Sequence, residues 1–208
     1  MVTRLAKYLW GDFNRQEVKK FGILGAIFFF LIGSYWLLKT QKNAAFAAIV
    51  GFSYQPKAKL ISWVASIFIV LLYSKLVDWF DKNRLLTGLA ALYGGGFLVT
   101  SYLLKYSSIG FANTVASPDR LFGWFIYLFT ESFGTVMVGL FWAFVTSSTK
   151  TDSAKKGYPL IIAGSQLGSI LGSWLSLKSA WFGNANLYAV VGLGFLMIIP
   201  TVYAYRYF

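Results

Sequence analysis

Six long apolar segments are the feature that most constrains how this chain can fold. A helix needs about 20 apolar residues to cross the hydrocarbon of a bilayer, and each segment is long enough or nearly so. Within lipid the backbone must satisfy its own hydrogen bonds, which favours helices, and the period-two alternation of a barrel strand is absent. The sequence therefore predicts an all-α integral membrane protein, a six-helix bundle with helices at about 21–38 or longer, 60–76, 85–104, 121–145, 158–177 and 187–205.

The composition agrees with a membrane protein. Of the 208 residues, 57% are hydrophobic and only 12% are charged, about half the charged content of a soluble domain. The net charge of +12 could indicate a nucleic-acid partner. However, the basic residues lie in short gaps between the apolar runs, so we expect a lipid bilayer as the partner and no nucleic acid.

Several classes of chemistry are excluded by residues that the sequence lacks. It has no cysteine and no histidine, so thiol nucleophiles, Ser-His triads and the usual zinc sites are excluded. No phosphate-binding loop of the GxxxxGK[ST] type is present. We therefore expect no enzyme activity, no metal and no cofactor. The first twenty residues mix charged and aromatic side chains and do not look like a signal peptide.

The basic residues between the segments predict the orientation of the chain. Twelve of them fall on one side of the predicted bundle and seven on the other. Because cytoplasmic loops carry the excess of Lys and Arg, both termini are expected in the cytoplasm. Residues 1–20 would then form a cytoplasmic arm, and residues 21–208 the membrane domain.

Glu131 is an acid near the middle of the fourth apolar segment. Placing a charge there costs at least about 2.5 kcal/mol, and such residues usually face a cavity or a partner. A functional role is the favoured interpretation. The alternative is a protonated side chain that hydrogen-bonds a neighbouring helix for packing.

Lys39 and Lys42 follow the first apolar segment, and the sequence becomes apolar again after Asn43. If the helix continues, the two lysines share one face and form a cationic pair suited to a multiply charged anion. Composition alone favours the other interpretation, in which the helix ends at Leu38 and both lysines snorkel to the interface.

The fifth segment carries glycines four residues apart, at Gly164, Gly168 and Gly172, each followed by serine. Such a row lets two helices approach closely, so helix packing is the expected role. Gln166 is the residue of this run that we expect to reach a solute.

A charged connection lies between the second and third segments. Its residues Asp78, Lys82 and Arg84 resemble, in degraded form, the G-x-x-x-D-[RK]-x-G-[RK]-[RK] loop of major facilitator transporters, with Ser74 and Asp81 in the glycine positions. The alternative is an ordinary basic cytoplasmic loop.

Taken together, these segments resemble the N-terminal half of the ATP/ADP translocases (nucleotide transport proteins) of obligate intracellular bacteria and plastids. The residues that carry the resemblance are K-K-F at 19–21, L-K-T-Q-K-N at 38–43, E-S-F-G-T-V-M at 131–137, F-W-A-F at 141–144, and the polar stretch 149–156. Compared with the family patterns L-R-x-x-K-D and E-L-W-G-x-M-M, Lys39 stands for arginine, Asn43 for aspartate, and Ser132-Phe133 for Leu-Trp.

The resemblance implies a fold like one half of a major facilitator transporter and an exchange of ATP for ADP across a bacterial inner membrane. It maps the family's functional lysine and glutamate onto Lys42 and Glu131, with Lys39 and Asn43 beside them as substrate-binding residues. A complete carrier would need a second six-helix half or a homodimer partner. The alternatives are a six-helix scaffold without transport and a half-transporter for another organic anion.

Overall fold

The fold is that of a computed structural model, which describes residues 15–149 and 151–207, and not the side chains of residues 151 and 152. Most of the expected cytoplasmic arm (residues 1–14, with Arg4 and Lys7), Lys150 of the polar stretch and Phe208 lie outside the described residues. Within these ranges the chain is helical and has no strand. Six of its helices are long and apolar enough to cross a membrane, which confirms the expected all-α membrane architecture.

The helices are numbered in chain order, and one 3₁₀ turn, Phe52–Tyr54, lies between the first two. Their bounds are α1 Arg15–Ile49, α2 Gln55–Trp79, α3 Lys82–Tyr106, α4 Leu121–Ser148, α5 Thr151–Leu177, α6 Ser179–Phe182 and α7 Asn184–Tyr205. The single-turn α6 is too short to span. Most of the long helices extend beyond the apolar segments, because charged and polar residues continue a helix into the interface at no cost in buried charge.

α1 is the central element of the bundle. It packs most extensively against α5, then against α7 and α4, while α3 packs on α7 and α2 packs chiefly on α4. At one end of the bundle Lys20 Nζ donates to the Ser148 carbonyl at 2.7 Å and lies over the Tyr205 ring. At the other end the Ser117 amide donates to the Ile49 carbonyl. These contacts gather the start of α1 with the ends of α4 and α7, and the end of α1 with the start of α4.

The length of α1 corrects the expectation that composition favoured. The helix does not end at Leu38 but runs through Lys39, Lys42 and Asn43 to Ile49, about 52 Å for its 35 residues. Two features explain why it continues. No glycine or proline interrupts residues 39–49, and Ser176 of α5 hydrogen-bonds two of the polar side chains. The hydroxyls of Thr40 and Ser176 hydrogen-bond, and Gln41 Nε2 donates to Ser176 Oγ at 3.2 Å.

The connection between α2 and α3 is shorter than the charged loop expected there. Asp78 lies in the last turn of α2, and Lys82 and Arg84 lie in the first turn of α3, which leaves only Phe80 and Asp81 between the helices. Charged side chains at a helix end reach water without needing a loop, so the charge pattern was not a reliable loop signal. The assignment of these three residues to a loop is therefore wrong, although they do lie at a bundle end.

Backbone-to-backbone contact joins α1 and α5. A Cβ added at Gly164 would lie 2.5 Å from the Gly25 carbonyl oxygen, and one added at Gly168 or Gly172 would meet the backbone of Phe29 or Gly33. The glycines thus allow an approach that no larger residue permits. α5 also begins earlier than expected, so Pro159 lies inside it.

An aromatic cluster forms part of the interior. Phe97, Phe133, Phe195 and Tyr188 have no exposed surface, and Phe133 meets Phe195 edge-to-face with ring centroids 5.0 Å apart. Such ring pairs stabilise by about 0.5–1.5 kcal/mol beyond the area they bury. This cluster fixes α3, α4 and α7 to one another, and it is next to the face of α4 that carries the candidate site.

Candidate functional site

A cavity of about 750 Å³ opens between the second half of α1, the start of α2 and the middle of α4. This volume lies within the usual range for small-molecule sites, about 300–1,000 Å³. Residues from all three helices line it: Tyr35, Lys39, Lys42 and Asn43 from α1, Phe52, Ser53, Gln55, Pro56 and Lys59 from the segment that begins α2, and Tyr127, Thr130, Glu131, Phe133 and Gly134 from α4. The structure therefore brings together four of the five expected substrate-binding residues.

An ion pair between Lys42 and Glu131, two residues of the cavity lining, joins α1 to α4. The Lys42 side chain is only 9% exposed, and that of Glu131 is 37% exposed. Lys42 Nζ also lies 4.3 Å from the centroid of the Tyr127 ring, which faces it as a cation–π partner. Lys42 is therefore held by two partners on one helix, while Glu131 keeps contact with the cavity.

Lys39 lies one helical turn before Lys42 and lines the same cavity. Its side chain is exposed, and its ammonium lies 4.7 Å from the centroid of the Trp36 ring. Lys59 reaches the cavity from α2 and is also exposed. Over residues 15–149 and 151–207, no carboxylate pairs with either lysine. Three ammonium groups thus face one carboxylate, and the cavity carries a net positive charge that favours a polyanion.

Two polar groups complete the lining. Gln55 Nε2 donates to the Asn43 carbonyl at 3.1 Å, which ties the start of α2 to α1 at the cavity. The Thr130 hydroxyl is buried and has no hydrogen-bond partner in the described structure. A buried hydroxyl left without a partner costs about 1–3 kcal/mol, so Thr130 is a polar group of the lining that this conformation leaves unsatisfied.

The aromatic side chains of the cavity differ in how free they are to contact a ligand. Phe133 is fully buried in the aromatic cluster, whereas Tyr35 is 38% exposed and lies beside it, with ring centroids 6.4 Å apart. Phe52 is 75% exposed at the rim. Tyr35 and Phe52 are therefore the rings that a flat aromatic ligand could stack on.

Gln166 does not join the other expected residues. It is exposed and does not line the cavity. The reason is the helix period: Gln166 lies two residues from both Gly164 and Gly168, so it projects from the face opposite the one packed on α1. Its amide thus faces the surroundings of the bundle rather than the interior.

Sequence reasoning missed Lys59, Gln55 and Thr130. Lys59 was counted only among the basic residues of the side expected to be outside. A usable signal was present, because Pro56 marks the first turn of a helix and places Lys59 one turn into it. For Thr130 the signal was its position next to the intramembrane acid.

Comparison with known proteins identifies relatives that are named as ATP/ADP carriers. The chain is 27% identical over 208 residues to the plastidic ATP/ADP-transporter of Solanum tuberosum, a match that covers 88% of this chain and 33% of that protein. The ADP,ATP carrier protein 4 of Rickettsia conorii is 25% identical over 81% of this chain and 37% of its own length. A chloroplastic ADP,ATP carrier protein of Arabidopsis thaliana is 28% identical over 74% of the chain.

The chain is related in sequence to ATP/ADP carriers of plastids and rickettsiae. The expected resemblance is thereby confirmed. The chain spans about a third of the length of these carrier relatives. No model of a protein family matches it, and no solved structure does.

Proposed function

We propose that this chain is part of an ATP/ADP carrier and that the α1–α2–α4 cavity binds the phosphates of the nucleotide. The observation that carries the proposal is the cluster of Lys39, Lys42 and Glu131 in one cavity with net positive charge. The similarity to proteins named as ATP/ADP carriers supports it. A chain of this kind moves its substrate without changing it, so no enzyme activity is proposed.

The Lys42–Glu131 pair provides a way to bind and release a polyanion. Removing one member of a buried pair leaves an uncompensated charge, so Lys42 needs a negative partner in every state. In the empty cavity that partner is Glu131. When a phosphate arrives it takes the place of the carboxylate, and Glu131 turns toward the exposed part of the cavity. Departure of one nucleotide is therefore favoured either by arrival of another or by return of Glu131.

The other lining residues contact different ends of the nucleotide, the phosphates or the base. Lys39 is an exposed cation that binds phosphate as a point charge, without the two-pronged geometry of arginine. Asn43 lies one residue beyond Lys42 at the rim. Tyr35 offers its ring to the base.

A second membrane unit completes the carrier in this proposal. The cavity opens on one side of a six-helix bundle, and substrate sites of carriers often lie at the interface between two repeats. The second unit is another six-helix half, like the arrangement in major facilitator transporters, or a second copy of the chain. We propose a bacterial inner membrane, as the family resemblance implies, with both termini in the cytoplasm, on the basis of the loop charges.

The test is nucleotide exchange in reconstituted vesicles, with any co-purifying partner retained. We expect labelled ATP to enter vesicles loaded with ADP, and Lys42→Ala or Glu131→Ala to abolish entry while the protein still inserts. The matched control is Lys57→Ala, which removes an exposed lysine that does not line the cavity.

Each other outcome points to a different conclusion. Unchanged exchange in both variants would disprove the site. Absence of both exchange and nucleotide binding would favour the scaffold alternative. Uptake of another organic anion that nucleotides fail to compete with would show a carrier of different specificity.

A further inference from the structure

Lys59 on α2 lines the nucleotide cavity but has no part in the proposal above. We propose that Lys59 is a further phosphate-binding residue, and that it makes the cavity select anions with two or more phosphates over those with one. This inference rests on the proposed function only in taking the polyphosphate to be that of a nucleotide.

The periodicity of α2 directs Lys59 into the cavity. Gln55, Pro56 and Lys59 all line it, a spacing of one and four residues that places them on one helix face. Lys57 lies between them in sequence but does not line the cavity, and its ammonium is 5.4 Å from the centroid of the Tyr54 ring. The two lysines are thus alike in type and exposure and differ in the face they occupy.

The lysines of the cavity differ in whether a carboxylate neutralises them. Glu131 already neutralises Lys42. Lys39 and Lys59 are the lining cations that face no carboxylate in the part of the chain that the structure describes, and they come from different helices. Two cations on separate helices are best neutralised by an anion whose charges are also separated, such as a diphosphate or triphosphate. Orthophosphate or a monophosphate would satisfy one of them.

Two further features of the cavity lining bear on phosphate binding. No side chain caps the first turn of α2, and its first residues, Gln55 and Pro56, line the cavity, so the positive end of this helix lies at the cavity. The buried Thr130 hydroxyl, which has no partner among the described residues, lies across the same cavity on α4. A phosphate held by Lys59 would bring acceptor oxygens to the positive end of α2.

The test measures binding of inorganic tripolyphosphate, orthophosphate, ATP and AMP to the purified chain by equilibrium dialysis. We expect Lys59→Gln to weaken tripolyphosphate and ATP about five- to tenfold, the size expected for one charged contact that is partly exposed. Orthophosphate and AMP should change less than about twofold, within the range of a screened surface charge. Lys57→Gln should match the unmodified protein for all four, and Lys59→Arg should keep the preference for longer phosphates.

The outcomes separate this inference from the proposed function. Equal loss for AMP and ATP in Lys59→Gln, or no loss for either, would overturn the selectivity role while leaving nucleotide exchange intact. Lys59-dependent binding of tripolyphosphate without nucleotide exchange would support the inference and contradict the proposed function. Failure of the unmodified chain to bind any of the four anions would overturn both.

Discussion

α5 and α2, which pack on α1 and α4 respectively, differ in how tightly they are packed. α5 is fixed to α1 by direct backbone contact along Gly164, Gly168 and Gly172. α2 packs chiefly on α4, and only Ala58 and Ser62 of its 25 residues are buried. Both contacts bear on the cavity, since α1 and α4 carry its ion pair and α2 carries Lys59. The site therefore has one rigid wall, α1, which α5 holds in place, and one loosely attached wall, α2.

α2 is the helix of the site that is free to move most easily. A helix with few buried contacts opens at a lower free energy cost than one locked by close packing. Its apolar surface, with Trp63, Ile67, Phe68 and Leu72 more than half exposed, faces either lipid or the second unit of the carrier. Movement of α2 would bring Lys59 toward or away from Lys39 without disturbing the α1–α5 contact.

A large effect is predicted for added bulk on the rigid wall. Gly168→Ala places a methyl group against the Phe29 backbone, which cannot yield as a flexible side chain would. Overpacking of this kind costs about 1–3 kcal/mol or more, so we expect a clear loss of thermal stability in detergent and a larger aggregated fraction.

Gly88→Ala is the matched control, because a methyl group added there meets nothing within 4 Å. It should be neutral or stabilising by up to about 1 kcal/mol, the helix preference for alanine over glycine. Equal stability of the two variants would mean that α1 and α5 are not in close contact.

A smaller effect is predicted for the loose wall. Leu72→Ala on α2 removes a side chain that is 60% exposed and should change the free energy of unfolding by less than about 0.5 kcal/mol. Leu31→Ala on α1 removes one with no exposed surface and should cost about 2–5 kcal/mol. Unfolding by denaturing detergent, monitored by tryptophan fluorescence, measures both.

The result for Leu72→Ala also shows whether lipid or a protein partner covers the exposed face of α2. A loss comparable to that of Leu31→Ala, or a change in oligomeric state, would show that a protein partner rather than lipid covers this face. A small loss without change of state would leave α2 as the loosely held wall.

The sequence was sufficient to predict the six spans, because hydropathy over 18 or more residues is a local property. It could not decide where α1 ends. That end depends on Ser176, 136 residues from Thr40, whose hydroxyl partners the polar residues after Leu38. Likewise, Glu131 was recognisable from its depth alone, but its contact with Lys42 joins residues 89 apart.

The misplaced expectations have a common cause. The charge pattern predicts a loop for Asp78, Lys82 and Arg84, and the expected span 60–76 leaves Lys59 just outside the second helix. In the structure all four are helical. Gln166 was singled out as the polar side chain of a small-residue stripe, whereas the helix period turns it away from α1. Charge and polarity show that a residue needs water or a partner, and the helix face decides which it obtains.

The most direct test of the central claim, that the α1–α2–α4 cavity is the nucleotide site, is photo-crosslinking with a labelled azido-ATP followed by peptide mapping. The account predicts label on residues 35–59 and 127–134. Unlabelled ATP and ADP should prevent the labelling, and Lys42→Ala should lose it. Label confined to other helices, or label on these segments that excess ATP does not prevent, would contradict the account.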